Sequence, residues 1–256
     1  MSRVFAVANQ KGGVGKTTTV VSLGAYLAAA DKRVLIIDID PQANATSSLG
    51  IDKNRLRLSI YQAIMGDTPL ESVLTLTKRL GLDLIPSAPA LAGAEIELVG
   101  VMAREHRLKQ ALKPLRVRYD YVLIDCPPSL GLLTLNALTA ADEVIIPVQC
   151  EYLPMEGLTQ LLHTIELVRM HLNPELGVKG LLMTMYDART SLAQQVVDEV
   201  RNHFPSQTFH TVVPRSVRLS EAPSYGEPIV DYSPHSAGGL AYEKLAHEIV
   251  GNREAA

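Results

Sequence analysis

The chain has 256 residues, a length that at about 150 residues per domain allows one large domain or two small ones. Apolar residues make up 47% and charged residues 20%, which excludes a disordered chain and supports a core that needs no disulfide or metal staple. Lys and Arg number 24 against 27 Asp and Glu, a formal net charge of −3, so the protein is not basic overall, although a local basic patch stays open. Both cysteines, Cys126 and Cys150, sit in apolar runs, as expected of a reducing compartment. No apolar run approaches the ~18 residues of a membrane span, and the N-terminal run shows no cleavage pattern. The expected location is the cytoplasm.

Apolar runs rich in Val, Ile and Leu recur at 4–8, 34–37, 82–85, 121–124, 144–148 and 178–185. They lack alternation and read as strands buried on both faces. Helical patterns fall between and after them at 17–30, 105–115, 132–141, 155–172 and 192–204. This alternation predicts an α/β fold, a mainly parallel twisted sheet with helices on both faces. The stretch 51–103 is the least regular and is expected to hold a small helical insertion. No linker, low-complexity tract or internal repeat divides the chain, so 1–256 reads as one domain. Near the C-terminus, Tyr242, Leu245, Ala246, Ile249 and Val250 share a helical face, beside the mixed charges Glu243, Lys244, Glu248, Arg253 and Glu254. A membrane-surface helix would carry a basic polar face, so this one is expected to pack on the body of the protein.

The sharpest signal is Lys11-Gly-Gly-Val-Gly-Lys-Thr-Thr18, placed between the first strand and the first helix. Glycines at 12, 13 and 15, with Val14 between, let backbone N–H groups converge on phosphate oxygens, and the helix that follows points its positive end at the same anion. Lys16 can reach β- and γ-phosphates, Thr17 can ligate Mg²⁺, and Thr18 is a further candidate nucleotide contact. The usual G-x4-G-K-[ST] pattern would need glycine where this chain has Gln10, so the loop is a variant with an added lysine, Lys11. A dinucleotide G-x-G-x-x-G fails because position 18 is threonine. Two further strands end in carboxylates: Val122-Leu-Ile-Asp125, followed by Cys126-Pro-Pro128, and Leu35-Ile-Ile-Asp38-Ile-Asp40. Asp125 can hold Mg²⁺ through water. Asp38 and Asp40, one residue apart, point in different directions and should have separate jobs. All three elements end where open parallel sheets bind ligands, so the loop is expected to bind a nucleoside triphosphate.

Lys11-Gly-Gly-Val-Gly-Lys-Thr-Thr, Asp38-Ile-Asp-Pro-Gln-Ala-Asn-Ala-Thr46 and Ile124-Asp-Cys-Pro-Pro128 resemble the motifs of the deviant Walker ATPases. Within that ParA/MinD superfamily the chain is similar to the ParA/Soj proteins that partition chromosomes and plasmids. Thr184-Met-Tyr-Asp-Ala-Arg-Thr190 and Val213-Pro-Arg-Ser-Val-Arg-Leu-Ser-Glu-Ala-Pro-Ser-Tyr-Gly226 match as well, so the resemblance spans 3–250. It implies a weak ATPase acting as a switch, with ATP or ADP and Mg²⁺ bound. Lys11 would cross an ATP-dependent homodimer to the partner's phosphates, where a second cation meets accumulating charge. Gly12 would leave room for the facing subunit, Asp40 would orient or activate the attacking water, Asp38 would be structural or metal-linked, and Pro214 would contact the adenine face. The resemblance further implies non-specific binding to double-stranded DNA, hence a nucleoid location, and hydrolysis stimulated by a ParB-type centromere-binding partner.

Arg189 and Arg218 fall in the matching segments as DNA contacts, with Arg215 adjacent. Separately, the segment 104–118 holds six Lys or Arg and one Glu, and on a helix much of this charge could form one exposed basic face. DNA binding of this kind should weaken sharply with salt. The first strand is expected to start at about residue 3, so no N-terminal helix-turn-helix domain is expected. Three other readings share the phosphate loop: a MinD-like membrane switch, a metal- or cluster-carrying ATPase, and a metabolic ligase of the cobyrinate or biotin type. The second would need several placed thiolates, and Cys126 and Cys150 form no C-x-x-C. Hydrolase motifs such as G-x-S-x-G and H-E-x-x-H are absent.

Overall fold

The short Val-, Ile- and Leu-rich runs become the inner strands of one sheet, and the amphipathic segments between them cross its faces. The computed structural model describes residues 2–151 and 155–251. In chain order it contains β1 (Arg3–Val7), α1 (Lys16–Ala29), β2 (Val34–Asp38), α2 (Asn44–Ser48), α3 (Ile60–Met65), β3 (Thr75–Leu76), β4 (Leu82–Ile85), α4 (Leu91–Glu97) and α5 (Arg107–Arg116). These are followed by β5 (Tyr121–Asp125), α6 (Leu132–Ala140), β6 (Glu143–Gln149), α7 (Met155–His171), β7 (Gly177–Tyr186), α8 (Ser191–His203), β8 (Thr208–Pro214), α9 (Val217–Tyr225), α10 (Ile229–Tyr232) and α11 (Ala237–Gly251). The strand order is β3-β4-β2-β5-β1-β6-β7-β8, parallel except for the two-residue β3, which runs antiparallel to β4.

Side chains alternate across each strand, and this alternation builds two cores. Val4 and Ala6 of β1 join Leu35, Ile37, Val122 and Ile124 under α3 to α8. Phe5 and Val7 join Val34, Ile36, Tyr121 and Leu123 under α1, α2 and α9 to α11. A parallel sheet needs both faces covered, and here both are. Helix α1 settles directly on the sheet because Gly24 offers no side chain: a Cβ there would stand 3.0 Å from Ile36 Cδ1 and 3.3 Å from Leu123 Cδ1. The six expected strands and five expected helices all form, with bounds shifted by at most two residues.

Strand β8 and helix α9 were not expected. β8 lies at the sheet edge, so only Phe209 and Val213 of it enter the core and its apolar run is broken by His210 and Thr211. Its outward backbone is capped by side chains, as exposed edges require. Glu248 accepts from His210 N (2.8 Å), Thr211 N (3.1 Å) and Thr211 Oγ1 (2.8 Å), and Arg201 donates to His210 O (3.1 Å). α9 contains Pro223, which interrupts a helical reading of the sequence. The irregular stretch holds α3 and α4 as expected, together with the β3–β4 hairpin.

The last helix, α11, buries Tyr242, Leu245, Ala246 and Ile249 in the core beneath α1, whereas Arg253 and Glu254 lie outside the described residues. Among the described residues no helix is long and apolar enough to cross a membrane. The basic segment, which could have formed one exposed basic face, spends part of its charge on local bonds. Arg104 donates to Val99 O, Arg107 to Ile64 O (2.9 Å) and Met65 O, and Arg116 to Ser2 O (2.9 Å) and Asp142 (2.7 Å). Half of its cations therefore satisfy backbone carbonyls, and the segment does not present one uniform basic face.

Candidate nucleotide site and arginine surface

Strands β2, β5 and β1 lie side by side, with Asp38 opposite Asp125 and Asp125 opposite Val7. Their C-terminal ends therefore bring three loops together. In the loop after β1, Gly13 (φ +73°) and Gly15 (φ +89°) occupy the left-handed region that a side chain would strain. Gly15 is also the N-cap of α1 and supplies no side-chain cap, which leaves the first-turn amides for an anion. Two residues outside the expected set hold this loop. Buried Asn9 donates through Nδ2 to Pro147 O (2.7 Å) and accepts from Lys11 N (3.0 Å), while buried Thr184 donates to Val14 O (2.9 Å). Their signal was only that of polar residues at strand ends.

Lys16 and Lys11 face different ways although they belong to one loop. Lys16 is buried and its Nζ donates to Lys11 O at 3.1 Å, whereas the Lys11 side chain is exposed. Burial lowers the Lys16 pKa, and the nearby charge of Asp125 works against that shift. Thr17 Oγ1 donates to Asp125 Oδ2 at 2.7 Å, and Asp125 Oδ1, also buried, has no hydrogen-bond partner among the described residues. Asp125 and Asp38 are both fully buried neighbours. Burial pushes Asp38 up to about 6 against the opposing bonds from Thr46. Burial and then the charge of Asp38 push Asp125 well above the usual carboxylate range. Two carboxyl groups so placed are short of a cation.

Asp38 and Asp40 do point to separate tasks. Asp38 Oδ1 accepts from Asp40 N (3.2 Å), and its Oδ2 accepts from Thr46 N (2.8 Å) and Thr46 Oγ1 (2.7 Å), so its carboxylate is consumed internally. Asp40 Oδ1 accepts from Gln42 N at 2.9 Å. Beyond the loop glycines opens a cleft of about 320 Å³ whose walls include Gly15, Thr18, Thr184, Met185, Pro214 and Tyr242. Pro214 thus lies within reach of whatever the phosphate loop holds. Met185 keeps φ at +53°, a strained conformation for a residue with a side chain, and one that clusters at ligand sites. Gly12 faces Pro128 of the loop after β5, with 3.9 Å between its ideal Cβ position and Pro128 Cβ.

The three arginines lie on the surface, each beside a carboxylate. Arg189 donates through Nε (2.9 Å) and Nη2 (2.6 Å) to Asp187, whose carboxyl these bonds hold below its usual range. Arg215 pairs with Glu151, and Arg218 donates to Glu221 at 2.8 Å, an acceptor shared with Tyr232 OH (3.0 Å). The bond from Arg215 N to Tyr186 O (2.9 Å) sets the two arginine segments side by side. Cys126 and Cys150 are buried thiols; burial drives Cys126 far up and Cys150 up to about 12, away from thiolate chemistry. Among the described residues no group of three or more His, Cys, Asp or Glu is placed to hold a metal ion.

Comparison with known proteins agrees with this geometry. A family described as an AAA domain matches residues 2–178. The sporulation initiation inhibitor protein Soj of Bacillus subtilis is 55% identical over 252 residues, covering 98% of this chain and all of that protein. The chromosome partitioning protein ParA of Myxococcus xanthus is 52% identical, over 98% of this chain and 88% of its own. Among solved structures, a Mycobacterium smegmatis protein named cobyrinic acid a,c-diamide synthase, with bound ADP and magnesium, superposes with a TM-score of 0.88 at 41% identity, covering 99% of this chain and 96% of that one.

Proposed function

The chain belongs to the ParA/Soj family of partitioning ATPases, and on that footing we propose that it is an ATP-gated switch whose dimer binds DNA. It is an ATPase that works with ATP, ADP and Mg²⁺. The residues present fit that metal: Thr17 offers a hydroxyl, and Asp125 offers a buried oxygen that lacks any partner among the described residues. Bound Mg²⁺ supplies a positive charge at the β- and γ-phosphate oxygens. Lys16 and the amides of the glycine loop grip the same phosphates, and giving up the bond to Lys11 O lets the ammonium turn to them. Asp40, whose carboxylate takes one bond within the loop, from Gln42 N to Oδ1, orients the attacking water. Pro214 and the cleft beside Gly15 take the base.

The observation that carries the dimer is the opposed pair of lysines: Lys16 is committed inside the loop while Lys11 stands exposed on its rim. An exposed lysine next to a glycine-lined surface is positioned for phosphates held by a second copy. Two copies joined through nucleotide would set Arg189, Arg215 and Arg218 of both on one surface, and DNA phosphates would replace the present carboxylate partners. Such binding is independent of sequence and places the protein on the nucleoid in the cytoplasm. A ParB-type centromere-binding partner would accelerate hydrolysis and end the dimer.

Light scattering with a non-hydrolysable ATP analogue tests this. Wild type should be dimeric with the analogue and monomeric with ADP, and Lys11→Ala should stay monomeric with both. A Lys11→Ala protein that dimerises like wild type overturns the arrangement. The 41% identical synthase favours one second reading, a metabolic ligase on the same phosphate loop. Hydrolysis that rises on addition of cobyrinic acid and an amide donor, and not with DNA and a partner, would establish that reading instead.

A further inference from the structure

A closed ring of hydrogen bonds surrounds the peptide that carries Asp40. Asp40 N donates to Asp38 Oδ1 (3.2 Å), and Thr46 Oγ1 donates to Asp38 Oδ2 (2.7 Å). Ser87 completes the ring from both of its ends: its N donates to Thr46 Oγ1 (2.9 Å), and its Oγ donates to the Asp40 carbonyl oxygen (2.7 Å). Asp38, Thr46 and Ser87 are fully buried and Asp40 nearly so. Water is therefore not at hand to replace a lost member.

Three members of the ring belong to the β2–α2 connection, and only Ser87 comes from elsewhere, the loop after β4. That loop is anchored in turn by Ile60 N donating to Pro86 O at 2.9 Å. The Asp40 carbonyl oxygen also accepts from Ala43 N (2.8 Å), a bond within its own turn, whereas the Ser87 bond ties the same peptide to a separate loop. The Asp40 carboxylate itself takes no part in the ring. The ring thus fixes the backbone from which that carboxylate projects and leaves the carboxylate available.

We infer that Ser87 is a positioning residue for ATP hydrolysis, acting through Asp40. The inference rests on the reading of Asp40 as the residue that orients water. Losing the Ser87 hydroxyl leaves the Asp40 carbonyl oxygen held by Ala43 N (2.8 Å) inside its own turn, so the peptide loses its tie to the loop after β4 and can shift with that turn. Hydrolysis depends on placement at sub-ångström scale, whereas the phosphate grip comes from the loop between β1 and α1, and the Ser87 bonds run instead to Thr46 and Asp40. The rate should therefore suffer and nucleotide affinity should not.

The experiment measures kcat and KM for ATP in Ser87→Ala, and single-turnover hydrolysis of Ser87→Ala in wild-type and Asp40→Ala backgrounds. Ser87→Ala should lower kcat about tenfold with KM changed by less than about twofold. In the Asp40→Ala background the same change should have no further effect, since the group it positions is gone. Ser87→Cys keeps the size of the side chain with a weaker donor and should fall between, and it carries the comparison if Ser87→Ala does not fold. Equal losses in both backgrounds, or a raised KM at unchanged kcat, would overturn the role of Ser87. Asp40→Ala hydrolysing at the wild-type rate would instead overturn the reading of Asp40, whatever Ser87 does.

Discussion

The carboxylates around β2 and β5 and the arginines after β7 and β8 are both charged clusters, but the fold treats their charges in opposite ways. Asp38 and Asp125 are fully buried next to each other, and their ionised forms are disfavoured by burial and by mutual repulsion. Their geometry is fixed by short internal bonds, and what they lack is positive charge. Arg189 is 85% exposed, and its partner Asp187 is its own neighbour in the turn. An exposed ion pair contributes little to stability and exchanges its carboxylate for another anion at small cost. The inner cluster is fixed in place by its internal bonds, and on the proposed reading it takes a cation and phosphates. The outer cluster is a set of replaceable pairs, suited to an anion that arrives and leaves.

Changes in the inner cluster should have the largest effects. Asp40→Ala should lower ATP hydrolysis by about 100-fold or more while nucleotide still binds, measured by phosphate release and by fluorescent-nucleotide titration. Retained hydrolysis would remove Asp40 from the chemistry and blur the contrast. Asp125→Asn should separate stability from activity. A carboxyl whose folded pKa lies above its unfolded value of about 4 carries no penalty at low pH, and the penalty grows as pH rises through the folded value. Without nucleotide or metal, Asp125→Asn should therefore be more stable than wild type at pH 8, with the difference shrinking as pH falls toward 4. It should also lose Mg²⁺-dependent hydrolysis. A variant less stable than wild type at pH 8 would mean that the buried pair is not under charge strain.

The outer cluster should respond more mildly. Arg189→Ala should weaken DNA binding by about tenfold and reduce its salt dependence by about one phosphate contact. Asp187→Asn should do the reverse, raising DNA affinity by freeing the guanidinium, with hydrolysis in the absence of DNA unchanged. Opposite signs for these two variants sharpen the comparison, and like signs break it. The smallest effect belongs to Glu248→Ala, which removes the cap on β8. It should cost about 1 kcal/mol in denaturant unfolding and leave both hydrolysis and DNA affinity as they were.

The inner socket was legible in the sequence because its parts are local in the chain. Asp38 and Asp125 end Val-, Ile- or Leu-rich strands, Asp40 and the glycine loop follow such strands, and Lys16 and Thr17 open the helix after the loop, so strand order brings them together. What the sequence hid depends on long-range contact. Ser87 and Asn9 are unremarkable polar residues until β4 and β6 place them against Asp40 and the phosphate loop. The 104–118 segment misled in the other direction: its charge count is correct, yet Arg104, Arg107 and Arg116 turn inward to carbonyls that no periodicity displays. β8 escaped because an edge strand carries half the apolar signal of a central one.

The most direct test of the central claim uses Asp40→Ala protein, which should hold ATP without consuming it. Its binding to random-sequence duplex DNA is compared with ATP and with ADP, at low and high salt. Tight binding with ATP alone, lost at high salt and after Arg189→Glu, is the predicted result. Equal binding with ATP and ADP, or none with either, would contradict a nucleotide-gated DNA switch and leave only the ATP site standing.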